Sequence, residues 1–124
     1  MSDENYIKMC DCTEIQDRWG LSDGDCVAFK NQYGRGYTVG YYPAVNQFWL
    51  PHIWLPSQED LQAMLQPCSL AEVIQRFYEW YKVFEIHCSI KEYVSRTMTE
   101  LWLAFVMHEL HSKVWNGTEW IKTV

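Results

Sequence analysis

The sequence predicts an α+β fold: a small N-terminal antiparallel sheet (a hairpin plus an edge strand) packed against three C-terminal helices. Three observations carry this expectation. Two short runs of strand formers, Cys26–Lys30 and Tyr37–Tyr42, flank a loop containing Gly34 and Gly36. Three capping signals, at Ser57, Ser69 and Thr97, each precede apolar residues at helical spacing. Between these regions the character of the chain changes near Pro56, from turn-rich to helical. At 124 residues the length suits one domain, and with 48% hydrophobic residues a core can form without disulfide or metal staples. Within it, residues 1–20 read as an acidic segment with a short helix, 21–56 as β-rich and aromatic, and 57–124 as mainly helical.

Taken in order, Thr13-Glu14-Ile15-Gln16 fits a capping box that opens a short helix through Trp19, stopped by Gly20. Ser22-Asp23-Gly24-Asp25 is a turn signal. The strand pair follows, with Asn31–Gly36 as its connection. Pro43, Pro51 and Pro56 restrict a third extended piece, Gln47–Leu55, to an edge or irregular strand. Ser57 then caps a helix presenting Leu61, Met64 and Leu65 on one face and ending before Pro67. Ser69-Leu70-Ala71-Glu72 is a second capping box, and Leu70, Val73, Ile74, Phe77, Tyr81 and Phe84 continue a stripe at helical spacing over four turns. Residues 88–96 carry no decisive pattern. Thr97 caps the last helix, which is apolar on every side from Leu101 to Met107 and narrows to Met107, Leu110 and Val114, with Asn116-Gly117 ending it. Such a helix is expected at the centre of a core, with Leu101, Phe105 and Phe77 buried. Thr118–Lys122 returns as a short strand.

Charge and composition exclude several function classes. The net charge is −6, and residues 1–25 carry seven acids against Lys8 and Arg18. No cationic cluster exists to displace counterions from phosphates, so no duplex DNA partner is expected. The most apolar run, Leu101–Met107, is too short to cross a membrane. The acidic N-terminus has neither the basic nor the apolar region of a secretory leader, which points to the cytosol of whatever cell makes the protein. Five cysteines, an odd number, are expected as reduced thiols.

Several segments resemble a group of small proteins encoded in phages and prophages of Gram-positive and gut bacteria. They are Ile53-Trp54-Leu55-Pro56-Ser57-Gln58, Leu61-Gln62-Ala63-Met64, Arg76-Phe77-Tyr78-Glu79-Trp80, the run Met98–Met107, and Lys113-Val114-Trp115-Asn116-Gly117-Thr118-Glu119-Trp120. Ile15–Trp19 with Asp23-Gly24-Asp25 is similar to the N-terminal half of the same group. The resemblance implies a genomic setting and no chemistry. By analogy with small phage accessory proteins, it suggests an anti-defence protein that grips a host or phage protein.

Candidate chemistry is sparse. His108-Glu109-Leu110-His111 approaches the His-Glu-x-x-His pattern of zinc proteases, but the second histidine arrives one residue early. His108 and His111 still share a helical face and could bind metal with a third ligand, which would make a metal-dependent enzyme. The plainer reading is a polar helix end, where His suits the dipole. Cys10-x-Cys12, Cys26 and His87-Cys88 lack the paired knuckles of structural zinc, and Asp11 and Glu14 disfavour a reactive thiolate. Gly34-x-Gly36-x-x-x-Gly40 misses dinucleotide spacing, and no helix begins there. No catalytic residue and no cofactor are expected.

The aromatic segment is more informative. Eight aromatic residues fall between Phe29 and Trp54, alongside Lys30 and Arg35, and residues 26–56 contain no acid. In a strand Tyr37, Val39 and Tyr41 share one face. Only one face of a small sheet can cover a core, which leaves a mildly cationic platform of Tyr33, Arg35, Tyr37, Tyr41, Trp49 and Trp54 for a protein partner. The alternative on the same surface is a nucleotide or a single-stranded nucleic acid.

Overall fold

Strand β1 (Cys26–Lys30) forms the middle of a three-stranded antiparallel sheet ordered β2-β1-β3, with β2 at Tyr37–Tyr41 and β3 at His52–Trp54. Side chains alternate between the two faces of a strand, and in β1 Val27, Ala28 and Phe29 are all buried. The computed structural model describes residues 2–20, 24–30, 36–42, 52–65, 69–87 and 97–122. Its contacts divide the chain into two compact units, Met1–Pro56 and Ser57–Val124. The division falls where the sequence changes character. Helices accompany the sheet, so the fold class is α+β.

In the first unit β1 and β2 are the strands expected, paired from Cys26↔Tyr41 to Lys30↔Tyr37. The third strand is shorter than Gln47–Leu55, covering His52–Trp54 at the sheet edge beside β1; residues 43–51 lie outside the described residues. Helix α1 (Ser2–Cys10) precedes the short helix that the sequence predicts. Its Glu4–Lys8 pair, 3.6 Å apart at i,i+4, and its acids near the first turn favour a helix. Helix α2 (Thr13–Gln16) is shorter than the predicted Thr13–Trp19, and the capping box at Thr13 is not formed. Cys12 is the N-cap and makes no side-chain cap bond, and Gln16, the partner that a box at Thr13 would need, is used elsewhere. Its Nε2 donates to the carbonyls of Cys10 at 2.9 Å and Trp54 at 3.0 Å, and its Oε1 accepts from Trp54 N–H at 2.8 Å. Ile7, Met9, Cys10 and Ile15 fill the core that these helices make with β3, and the Tyr6 hydroxyl donates to the Pro56 carbonyl at 2.6 Å.

In the second unit α3 (Gln58–Ala63) begins at the expected capping box: Ser57 Oγ accepts from Asp60 N–H at 3.1 Å, and the Asp60 carboxylate accepts from Ser57 N–H at 2.9 Å. Helix α4 (Leu70–His87) starts at Ser69, whose Oγ accepts from Glu72 N–H. Its apolar stripe is only partly covered. Val73 is buried and Phe77 half-buried, whereas Leu70 and Ile74 are exposed. Helix α5 (Met98–His111) is capped by Thr97, and Glu100 together with Leu101–Met107 is buried. Aromatic rings lock α4 to α5. Phe77 stacks on Trp102 with centroids 4.0 Å apart and meets Phe105 edge-on at 5.4 Å; Trp80 also lies 5.4 Å from Phe105.

The end of α5 differs from expectation. The helix stops at His111, where Ser112 adopts a left-handed conformation, φ 54°. Val114 therefore belongs to β4 (Lys113–Trp115), which pairs with β5 (Trp120–Lys122) as a hairpin. Asn116-Gly117 forms the hairpin turn instead of ending a helix. Asn116 Oδ1 accepts from the N–H groups of Thr118 and Glu119, and Gly117 has φ 106°.

Phe105 is 1% exposed amid three aromatic neighbours. Phe105→Ala is expected to destabilise the protein by about 3–5 kcal/mol in urea unfolding, and a loss below about 1 kcal/mol would contradict this packing.

Candidate functional site

Sheet register decides which aromatics stay at the surface. Phe29 is opposite Thr38 and His52, and Val27 is opposite Gly40 and Trp54. These residues share one face, and Tyr42 lies on the same side. There the rings of Phe29, His52, Tyr42 and Trp19 follow one another at centroid separations of 5.1–5.9 Å, and Trp19 Nε1 donates to Asp25 at 2.9 Å. Trp54 is 7% exposed. It is a core residue and leaves the expected contact surface.

The opposite face carries Tyr37, Val39 and Tyr41, as strand alternation requires. Tyr37 is half-buried, Val39 is 46% exposed and Tyr41 70% exposed. The buried Ala28 lies between Val39 and the half-buried Ile53 in register. The result is a low apolar strip whose Val39 end is flanked by two phenol rings. Tyr33, Arg35 and Trp49 lie outside the described residues, so of the six residues expected to form the platform, Tyr37 and Tyr41 stand together at the surface. Val39, on the same face, stands exposed between them.

His108 and His111 lie in the last turn of α5. His108 Nδ1 is 3.5 Å from the Glu109 carboxylate, whose other oxygen is 3.8 Å from Arg76, and Arg76 also lies 3.4 Å from Glu72. Glu109 thus joins a surface ion-pair network and is not poised between two imidazoles. His111 Nε2 is buried with no hydrogen-bond partner among the described residues. Also among them, no three His, Cys, Asp or Glu side chains are grouped to hold a metal.

Cys10, Cys12 and Cys26 are not joined in disulfides. Burial pushes the Cys10 thiol well above the ordinary range; a hydrogen bond with the Tyr6 side chain opposes this, while Cys12, Asp11 and Cys26 nearby add to the rise. Such a thiol is a poor nucleophile. Cys68, Cys88 and the side chain of His87 are outside the described residues.

No family model, curated protein or solved structure matches this chain. Among the described residues no helix is long and apolar enough to cross a membrane.

Two measurements test this account. Iodoacetamide should label Cys12 and Cys26 well before Cys10 in the native protein, and peptide mass spectrometry should find the difference abolished in urea; early labelling of Cys10 would show that it is not buried. Elemental analysis of protein purified without chelator should find no stoichiometric zinc, because no third ligand is grouped with His108 and His111 among the described residues. One tightly held metal per chain would return the pair to the centre of an enzyme.

Proposed function

We propose that this chain is a non-enzymatic phage or prophage accessory protein that acts by binding another protein, as anti-defence proteins do in a host bacterial cytoplasm. The observation that carries the reading is the exposure of Tyr41 and Val39 beside Tyr37 on one face of an edge strand. Burying a Tyr side chain removes roughly 150–250 Å² from water, so two such anchors can dominate an interface of ordinary size. Residues 26–56 contain Lys30 and Arg35 and no carboxylate. A neutral or acidic protein surface can therefore dock there without desolvating an anion of this chain. The sequence resemblance to phage-encoded proteins supports the setting.

The test is affinity capture from lysate of a bacterial host, followed by titration of the captured protein. Tyr37→Ala or Tyr41→Ala, with folding checked by circular dichroism, should weaken binding by about 2 kcal/mol, roughly thirtyfold. If both variants bind like the parent, the surface is wrong, and the acidic residues near the N-terminus become the better contact. Oligonucleotides should bind no tighter than about 10 μM at physiological salt, and sub-micromolar binding would favour a single-strand binder.

A further inference from the structure

The two edges of the three-stranded sheet are finished differently. Leu55 N–H donates to the Cys26 carbonyl at 2.9 Å, and Tyr42 N–H donates to the Asp25 carbonyl at 2.8 Å. Main-chain groups in an antiparallel ladder alternate in direction, so these two bonds orient the whole sheet. Cys26 and Ala28 bond toward β3, whereas Val27 and Phe29 bond toward β2. Gly40 and Thr38 therefore direct their N–H and C=O inward, and Tyr37, Val39 and Tyr41 direct theirs to the outer side of β2. On β3 the outward residues are His52 and Trp54, and Gln16 satisfies both main-chain groups of Trp54. Among the described residues no strand covers the outer side of β2. Residues 37–41 contain neither charge nor proline, the devices by which natural edges resist pairing.

The occupant that fits is a second copy of this chain. The run Tyr37-Thr38-Val39-Gly40-Tyr41 is nearly the same read in either direction. Antiparallel pairing about a two-fold axis at Val39 sets Val39 against itself and Tyr37 against Tyr41 of the second copy. All three pairs use outward main-chain groups, giving about six hydrogen bonds. Their side chains meet on the exposed face, where aromatic and β-branched cross-strand pairs are favourable. On the other face Thr38 meets Gly40 of the second copy, which has no side chain to clash. We infer that β2 is a homodimerisation edge that joins two three-stranded sheets into one continuous sheet. This rests on sheet register and needs no host partner, so it stands or falls separately from the proposed function.

Analytical ultracentrifugation of the full chain tests it. The parent protein should sediment as a dimer that dissociates on dilution. Val39→Lys and Val39→Glu each set like charges face to face at the two-fold axis, and should each raise the dissociation constant at least about tenfold. An equimolar mixture of the two variants should regain the dimer, because Lys then faces Glu; a general folding defect would not be rescued in this way. Hydrogen exchange at Tyr37, Val39 and Tyr41 should slow as concentration rises, while Thr38 and Gly40 stay unchanged. A parent protein that is monomeric at about 100 μM, with fast exchange at the three outward amides, overturns the inference and leaves the edge open to an extended segment of another protein. A dimer that survives Val39→Lys overturns it as well, by locating the contact elsewhere.

Discussion

The side-chain amide of Gln16 stands in for a strand residue at the outer side of β3. One carboxamide accepts from Trp54 N–H and donates to Trp54 C=O, while also reaching the Cys10 carbonyl at the end of α1. Two neighbouring helices and a strand 38 residues away in sequence meet at this group. Without it, two main-chain groups beside the buried Trp54 would lose their partners, at about 1–3 kcal/mol for each one left unsatisfied. The bond also ties α2 to the sheet, so that Ile15 lies in the core. A short helix with no side-chain cap holds its place because tertiary bonds hold it.

The second unit is organised by a different principle. Leu101–Met107 are all buried, and much of the aromatic content of the chain serves that helix. Phe77 lies flat on Trp102 and edge-on to Phe105, and Trp80 packs on Phe105 and near His108. Aromatic pairs contribute beyond the area they bury, through ring quadrupoles in offset and edge-to-face arrangements. This ring cluster orients α4 with only part of its apolar stripe turned inward. Leu70 and Ile74, whose spacing also suits burial, remain at the surface.

The candidate surface follows from the asymmetry of the sheet. One face is closed by Phe29, Trp54, His52 and Tyr42, and at one edge Gln16 bonds the outward main chain of Trp54. The other face and the other edge meet in β2, where Val39 and Tyr41 are exposed and the outward main-chain groups have no strand beside them among the described residues. Side-chain recognition and strand pairing therefore use different atoms of the same five residues. A dimer formed along the edge would leave the phenol rings on a doubled platform, so the two roles are compatible.

Sequence alone determined the features that depend on neighbours a few residues apart. The caps at Ser57, Ser69 and Thr97, the β1–β2 pair and the alternation that groups Tyr37, Val39 and Tyr41 all rest on local hydrogen-bonding groups and backbone period. The buried run in α5 was legible for a related reason, since a helix apolar on every side has no face to give to water. Tertiary structure decided what those rules leave degenerate. Trp54 and Tyr41 are both aromatic strand residues, and only sheet register and packing buried one and exposed the other. Gln16 matched a capping pattern, yet the main chain of Trp54, far away in sequence, offered its amide a more complete set of bonds. Ser112 ended a helix whose apolar spacing continued to Val114, because pairing between β4 and β5 compensated for a left-handed backbone that no glycine announced. In each case the deciding energy came from groups distant along the chain, and burial and bonding at that range are not written in local spacing.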